Sequence, residues 1–373
     1  MRKAFKYRIY LTRGQKRILE QQLEECRWLY NEILAIRKRA YEETGVSLRL
    51  YDTQHMIPIL KEGRPSLKQV HSLVLQNVNM RVDLAFQAFF RRARAGAAPD
   101  AVGFPRFKGF GRYDSITYAQ YGNGVRLDDN RLILSKVGVV RLVLHRPIEG
   151  TPKTVTLTRA RTKKWYASFS CEAEPQHLEP SSQVVGIDMG LTTFATLSDS
   201  REIKNPRFFR RDEADLKRVQ RAKDAAKNSQ NWDQNRRRKK ALAHIHERIA
   251  NRRNNFAHQL SRQLVDTYQV IVFEELEPQK MGVTKGRGMR KSLADAAWNQ
   301  LIGMTVSKAE EAGRAVVLVD PRNTTKACSH CSQLVPKALH ERVHACPHCG
   351  LVLGRDQNAA INILARGLEQ LRQ

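Results

Sequence analysis

The sequence contains no run of about 18 apolar residues, the length a membrane-spanning helix needs, so no segment is expected to cross a bilayer. Residues 1–5 lack the apolar stretch of a secretion signal, and the expectation is a cytoplasmic protein. Acidic side chains are scarce beside basic ones: 37 Asp and Glu stand against 65 Lys and Arg, a net charge of +28 over 373 residues. Self-repulsion on that scale disfavours a compact chain unless a polyanion shares its surface. Nucleic acid is the expected partner, held in a way that weakens steeply with salt. Cysteine is also scarce. There are six, four of them within 22 residues, while Cys26 and Cys171 stand far apart. That distribution argues against a disulfide framework and for a reducing compartment.

What is present reads in three stretches. Residues 5–10 alternate apolar and polar, as in an amphipathic strand. Thr12 with Gln15 forms a capping-box start, and apolar side chains then recur at helical spacing as far as Glu43, where Thr44 and Gly45 end the helix. A second helical stretch covers 66–94, and 96–103 reads as a loop. From 104 to 172 short alternating runs appear at 131–135, 138–144, 153–159 and 165–170, the pattern of a small antiparallel barrel. Strand 5–10 is expected to join it, which makes the helical block an insertion. Residues 174–182 read as a linker. Beyond it strands and long helices mix, and 201–263 carries 19 basic against 7 acidic residues.

Three carboxylates stand out. Asp188 sits in the apolar strand VVGIDM, where a buried carboxylate needs a cation partner. Glu274 ends the apolar strand VIVFE and is preferred over Glu275 as the first acid after the apolar run. Asp356 opens the helical segment GRDQNAAINIL, where alone it would read as a capping acid. Together the three could hold two Mg²⁺ ions that clamp the attacking and leaving oxygens of a phosphodiester. Cys328, Cys331, Cys346 and Cys349 are spaced C-x₂-C-x₁₄-C-x₂-C and are expected to enclose a structural Zn²⁺. His330, His344 and His348 are spare ligands beside a shell already filled.

The basic residues singled out as nucleic-acid contacts are Lys6, Arg8, Arg106, Lys108, Arg236, Arg237, Arg252 and Arg253. The run at 236–240 cannot all lie on one helix face. Trp28, Tyr30, Phe104, Phe107 and Tyr113 are expected in the core rather than as base-stacking platforms. The stretch 282–288, with Lys285 and Arg287, reads either as a lid over the carboxylates or as a plain loop.

The segments GIDMGLTTFATLSD, VFEELE, PRNTTKACSHC and GRDQNAAINIL, in that order, resemble the TnpB family of transposon-carried RNA-guided nucleases and, more distantly, compact type V CRISPR effectors. The resemblance extends to FKYRIYLT, CRWLYNEIL and FPRFK near the N-terminus. It implies a multidomain α/β and β chain: an RNase H-like (RuvC) nuclease domain over 183–320 and 351–373, with a zinc ribbon at 321–350 inserted in it. It further implies a wedge β-barrel over 1–12 and 103–178 and a helical recognition domain over 13–102. Asp188, Glu274 and Asp356 would be the catalytic triad. The partners would be a guide RNA from the transposon end and double-stranded DNA bearing a short target-adjacent motif, with the protein monomeric in the complex. Two departures stand out: Ser332 replaces a frequent Gly after the second cysteine, and Gly354 replaces a frequent Asp before the third acid. The alternatives are a nuclease-dead RNA-guided repressor and a strand-transfer transposase on the same fold.

Overall fold

In the computed structural model, which describes residues 1–96, 98–225, 232–277, 286–338 and 340–372, the chain divides into units Met1–Ala173 and Glu174–Gln373. The first unit is built on seven antiparallel strands: β1 (Arg2–Tyr10), β2 (Ser115–Tyr118), β3 (Val125–Asp128), β4 (Arg131–Leu134), β5 (Gly138–Val143), β6 (Thr151–Arg159) and β7 (Trp165–Glu172). Their order is β2-β6-β7-β1-β5-β4-β3, so the N-terminal strand does join the later ones. Inward side chains of all seven, among them Tyr7, Tyr118, Val125 and Phe169, share one core. The hydrogen bonding nevertheless stays open between β2 and β3, so the expected barrel is a curled sheet with two edges. The connection between those strands directs its backbone elsewhere, with Tyr121 N–H donating to Lys153 O and Gly122 N–H to Val125 O.

Helix α1 (Arg13–Thr44) starts and stops as its sequence dictates. The Thr12 hydroxyl accepts from Gln15 N–H, the Gln15 side chain accepts from Thr12 N–H, and Gly45 adopts φ 71° at the C-cap. Two short helices not anticipated from the sequence follow, α2 (Leu50–His55) and α3 (Ile57–Gly63). The second long helix, α4 (Ser72–Arg94), begins at 72 rather than 66, because the chain breaks at His71, whose Nδ1 accepts from Leu73 N–H. A buried Arg37–Asp83 pair at 2.9 Å joins α1 to α4. Arg81 donates to Ser115 O and Thr117 Oγ1, tying α4 to β2. A short helix α5 (Pro99–Val102) stands where a loop was expected.

The second unit is a five-stranded mixed sheet covered on both faces. Its strands are β8 (Val184–Met189), β9 (Thr193–Leu197), β10 (Glu202–Lys204), β11 (Val270–Glu274) and β12 (Ala315–Val319), in the order β10-β9-β8-β11-β12. β9 returns antiparallel to β8, while β11 runs parallel to both β8 and β12. Strand side chains alternate between faces. Val185, Ile187, Ile271 and Phe273 meet helix α7 (Trp232–Thr267) and helix Trp298–Ala312 on one side; α6 (Phe208–Ala225) docks on α7. Val272 and Val319 meet Ile363, from helix Arg355–Arg372, on the other. Residues 278–285 lie outside the described residues, as does most of the stretch read as a lid; Arg287 opens helix Arg287–Ala296. No helix among the described residues is long and apolar enough to cross a membrane.

Candidate metal centres

Asp188 and Glu274 are brought together by strand register. Val272 faces Gly186 and Phe273 faces Ile187 across the parallel pair β11–β8, so the next step sets Glu274 beside Asp188. Two-residue alternation points both toward the face that Gly186 and Val272 occupy, the face covered by helix Arg355–Arg372. Glu275, the rival acid, lies past the strand end and is exposed.

The covering helix can come this close because two glycines leave room for it. A Cβ on Gly186 would lie 2.1 Å from Ala360 O, and one on Gly367 would lie 2.4 Å from Val272 Cγ2. With the helix seated there, its first turn delivers Asp356, whose Oδ1 accepts from Arg355 Nε at 2.9 Å and whose Oδ2 lies 3.8 Å from Arg342 Nη1. The positive end of the helix dipole favours an acid at this position.

Burial pushes the Asp188 carboxyl up to about 8; Glu274 and Asp356 add repulsion, and Arg355 partly offsets it. Burial raises Glu274 too, opposed by a hydrogen bond from Thr324 Oγ1 to Glu274 Oε1 at 2.6 Å and by Arg366. The three carboxylates form a donor set of hard oxygens, and a divalent cation there would relieve the charging cost at Asp188. They are spread more widely than the thiols: only the four cysteines form a set of three or more metal-ligating atoms within 4.8 Å of one another among the described residues.

Those thiols form two matching knuckles. Ser332 N–H donates to Cys328 O and Gly350 N–H to Cys346 O, at 2.9 and 3.0 Å. Ser332 and Gly350 both take left-handed backbone, φ 62° and 76°. Ser332 thus holds the glycine conformation without being glycine. Cys328 Sγ lies 3.5 Å from Cys349 Sγ, and Cys331 Sγ 3.6 Å from Cys346 Sγ. A tetrahedral Zn²⁺ with bonds of ~2.3 Å spaces its sulfurs about 3.8 Å apart, so the set fits zinc with no open position. Burial works against the Cys328 thiolate, but the Cys331 and His330 backbone and the His344 ring bring it down to about 5. His344 is fully buried beside it, on the small hairpin of β13 (Val343–Ala345) and β14 (Val352–Gly354), whereas His330 and His348 are exposed.

The basic residues divide. Arg252 reaches Asp212 at 3.1 Å and Arg253 reaches Asp295 at 2.7 Å, both acids being largely buried, so these arginines dock α7 on α6 and on helix Arg287–Ala296. Arg236 and Arg237 are exposed on α7, and Arg106 is exposed in the first unit. Lys108 lies over the Tyr30 ring, and its backbone bonds to Asn31. Lys6 and Arg8 share the outward face of β1 and both lie over the Tyr166 ring, while Arg8 also lies over Tyr10. One buried guanidinium nitrogen of Arg8 has no hydrogen-bond partner among the described residues. Tyr30 and Tyr113 are core residues as expected, but Phe104 and Phe107 are 43 % and 53 % exposed. Phe110, 86 % exposed, was not singled out from the sequence; its spacing from Phe104 and Phe107 in a basic loop was the available signal.

An acid-bearing mixed α/β sheet, a third acid on its covering helix and a four-thiolate ribbon between the second and third acids define a class of protein. Residues 168–283 match a family model described as "Probable transposase" (OrfB_IS605), and residues 298–363 match "Cas12f1-like, TNB domain". Residues 1–46 match a model described as a helix-turn-helix domain, although here they form one strand and one 32-residue helix. A Streptomyces pristinaespiralis protein, provisionally named an RNA-guided DNA endonuclease, is 32% identical over 99% of this chain and 90% of its own length. The Escherichia coli protein InsQ, provisionally named in the same way, is 29% identical over 98% of this chain and 92% of its own. A cryo-EM structure titled as a Cas12f1-sgRNA-target DNA complex superposes with a TM-score of 0.58 at 14% identity, over 94% of this chain and 83% of that one, a likeness of fold. The chain belongs to the OrfB (TnpB) family.

Proposed function

We propose that this protein is an RNA-guided DNA endonuclease. The observation that carries the reading is the convergence of Asp188, Glu274 and Asp356 from two adjacent parallel strands and one helix. In this reading the 183–320 and 351–373 parts form an RNase H-like (RuvC) domain, 321–350 is its ribbon, and the 1–12, 103–178 and 13–102 parts are the wedge and recognition domains. Asp188, Glu274 and Asp356 would hold two Mg²⁺ ions, and the four cysteines a structural Zn²⁺. Bound Mg²⁺ supplies positive charge to the phosphodiester and an activated water. The protein's own part is to hold three carboxylates on one sheet face, with Arg355 and Arg342 near Asp356. Sequence choice would come from a guide RNA paired to the target strand beside a short adjacent motif, the protein acting as a monomer. Lys6 and Arg8, stacked on Tyr166 beside Tyr10 on the outward face of β1, fit a backbone phosphate.

The test is cleavage of a plasmid by the full chain purified with its bound RNA, with Mg²⁺ and with EDTA. Metal-dependent cutting that is lost in Asp188→Asn is expected. Guided binding without cutting would instead identify a repressor. Strand transfer without any discrete RNA would identify a transposase.

A further inference from the structure

The segment PRNTTK and the two asparagines of GRDQNAAINIL lie outside the metal-binding roles assigned above, yet they meet in one place. Thr324 is 1 % exposed and Glu274 6 %, and the Thr324 hydroxyl donates its single proton to Glu274 Oε1 at 2.6 Å, with Pro321 O a more distant acceptor at 3.1 Å. That bond engages Oε1 and leaves Oε2 for a cation. Asn362 Nδ2 donates to Thr324 O and to Ala327 O, both at 2.8 Å. One turn earlier, Asn358 Nδ2 donates to Ala327 O, and its Oδ1 accepts from Ser329 N–H. One turn later, Arg366 donates to Asp320 O and Arg322 O. Residues 358, 362 and 366 follow at intervals of four and so share a helix face. That face belongs to the helix whose first turn holds Asp356.

We propose that the root of the ribbon, residues 320–329, is the positioning device of the carboxylate site: Thr324 orients Glu274, and Asn358 and Asn362 lock the same root to the helix bearing Asp356. This rests on the reading of Asp188, Glu274 and Asp356 as metal ligands. Thr324, Asn358 and Asn362 are positioning residues, since they act through the carboxylates. The arrangement also gives the ribbon a task in the chemistry without placing zinc in it. A folded ribbon holds its own root, and the root sets the distance between two carboxylates that lie 82 residues apart in sequence (356 − 274).

The experiment is Mn²⁺ binding by the full chain with its RNA, followed by calorimetry, on the parent protein, Asp188→Asn, Thr324→Val, Thr324→Ser and Asn362→Ala. Partners that orient metal ligands change affinity by about 10–100-fold when removed. Thr324→Val is expected to lose affinity in that range with zinc content unchanged, and Thr324→Ser, which keeps the hydroxyl, to recover it. Equal Mn²⁺ affinity in the parent and a folded Thr324→Val overturns the proposal. If Thr324→Val does not fold, Asn362→Ala decides: weakened Mn²⁺ binding supports the tether, and parent-like binding overturns it. A parent that shows no Asp188-dependent Mn²⁺ binding defeats the underlying metal reading, and the inference falls with it.

Discussion

Gly186 and Ala360 meet backbone against backbone: a methyl group on Gly186 would lie 2.1 Å from the Ala360 carbonyl oxygen. The approach seats helix Arg355–Arg372 on β8 two residues before Asp188. Gly186→Ala is therefore expected to lift the helix, costing about 1–3 kcal/mol as overpacking. Displacing Asp356 by an ångström is expected to slow cleavage by about 10²-fold. Thermal melting and single-turnover cleavage read the two effects. An alanine variant with parental melting and rate would remove the glycine notch from the account of the site.

Ser332 carries left-handed backbone that costs a non-glycine residue about 1–2 kcal/mol. Ser332→Gly, which matches Gly350 in the other knuckle, is expected to stabilise the ribbon by about 1 kcal/mol and slow zinc loss to a chelator. Zinc release followed with a colorimetric chelator checks this. Cys349→Ser should act in the opposite direction and release zinc.

Arg252→Ala and Arg8→Ala should behave differently, although both remove one cation. Arg252 is committed to Asp212, so its loss is expected to lower the melting temperature and leave the salt dependence of nucleic-acid binding unchanged. Arg8 and Lys6 sit on an outward face, and each alanine variant is expected to weaken binding and reduce the log–log salt slope by about 1. Binding titrations across a salt series separate the two outcomes.

Glu213 gives a pH signature. Hydrogen bonds from Arg210 and Lys291 hold its carboxyl down at about 2, against an ordinary 4.5. A depressed acid contributes stability that is fully present above 4.5 and is lost as the pH falls toward 2. The stability gap between the parent and Glu213→Gln is expected to be constant near neutrality and to close between those values. Denaturant melts of the two proteins at stepped pH measure it. A gap that widens on acidification would mean that Glu213 is not held by these cations.

The elements legible in the sequence were those whose signal is local. Thr12, Gln15 and Gly45 announce both ends of α1, and VVGIDM and VIVFE announce strands with their acids in place. The four cysteines announce a cluster by spacing alone. Illegible were features set by partners distant in the chain. The start of α4 at Ser72 is a local exception: His71 caps it through Leu73 N–H, against a periodicity that runs on from 66. Arg252 and Arg253 look like phosphate ligands until Asp212 and Asp295 are seen to receive them. Thr324 is one hydroxyl among many until the fold sets it against an acid 50 residues earlier. The third acid, beside Gly354 where a neighbouring carboxylate was expected, gains its place from the glycine notch under its helix.

The order of the three acids along the chain has a temporal consequence. Translation delivers Asp188 and Glu274 first, and 82 further residues (356 − 274), including the ribbon, must emerge before Asp356. At ~5–20 residues per second that is an interval of about 4–16 s. Throughout it the nascent polypeptide has two of the three carboxylates of the proposed metal site and lacks the helix that covers their sheet face, so on that reading the site stays incomplete until Asp356 has emerged.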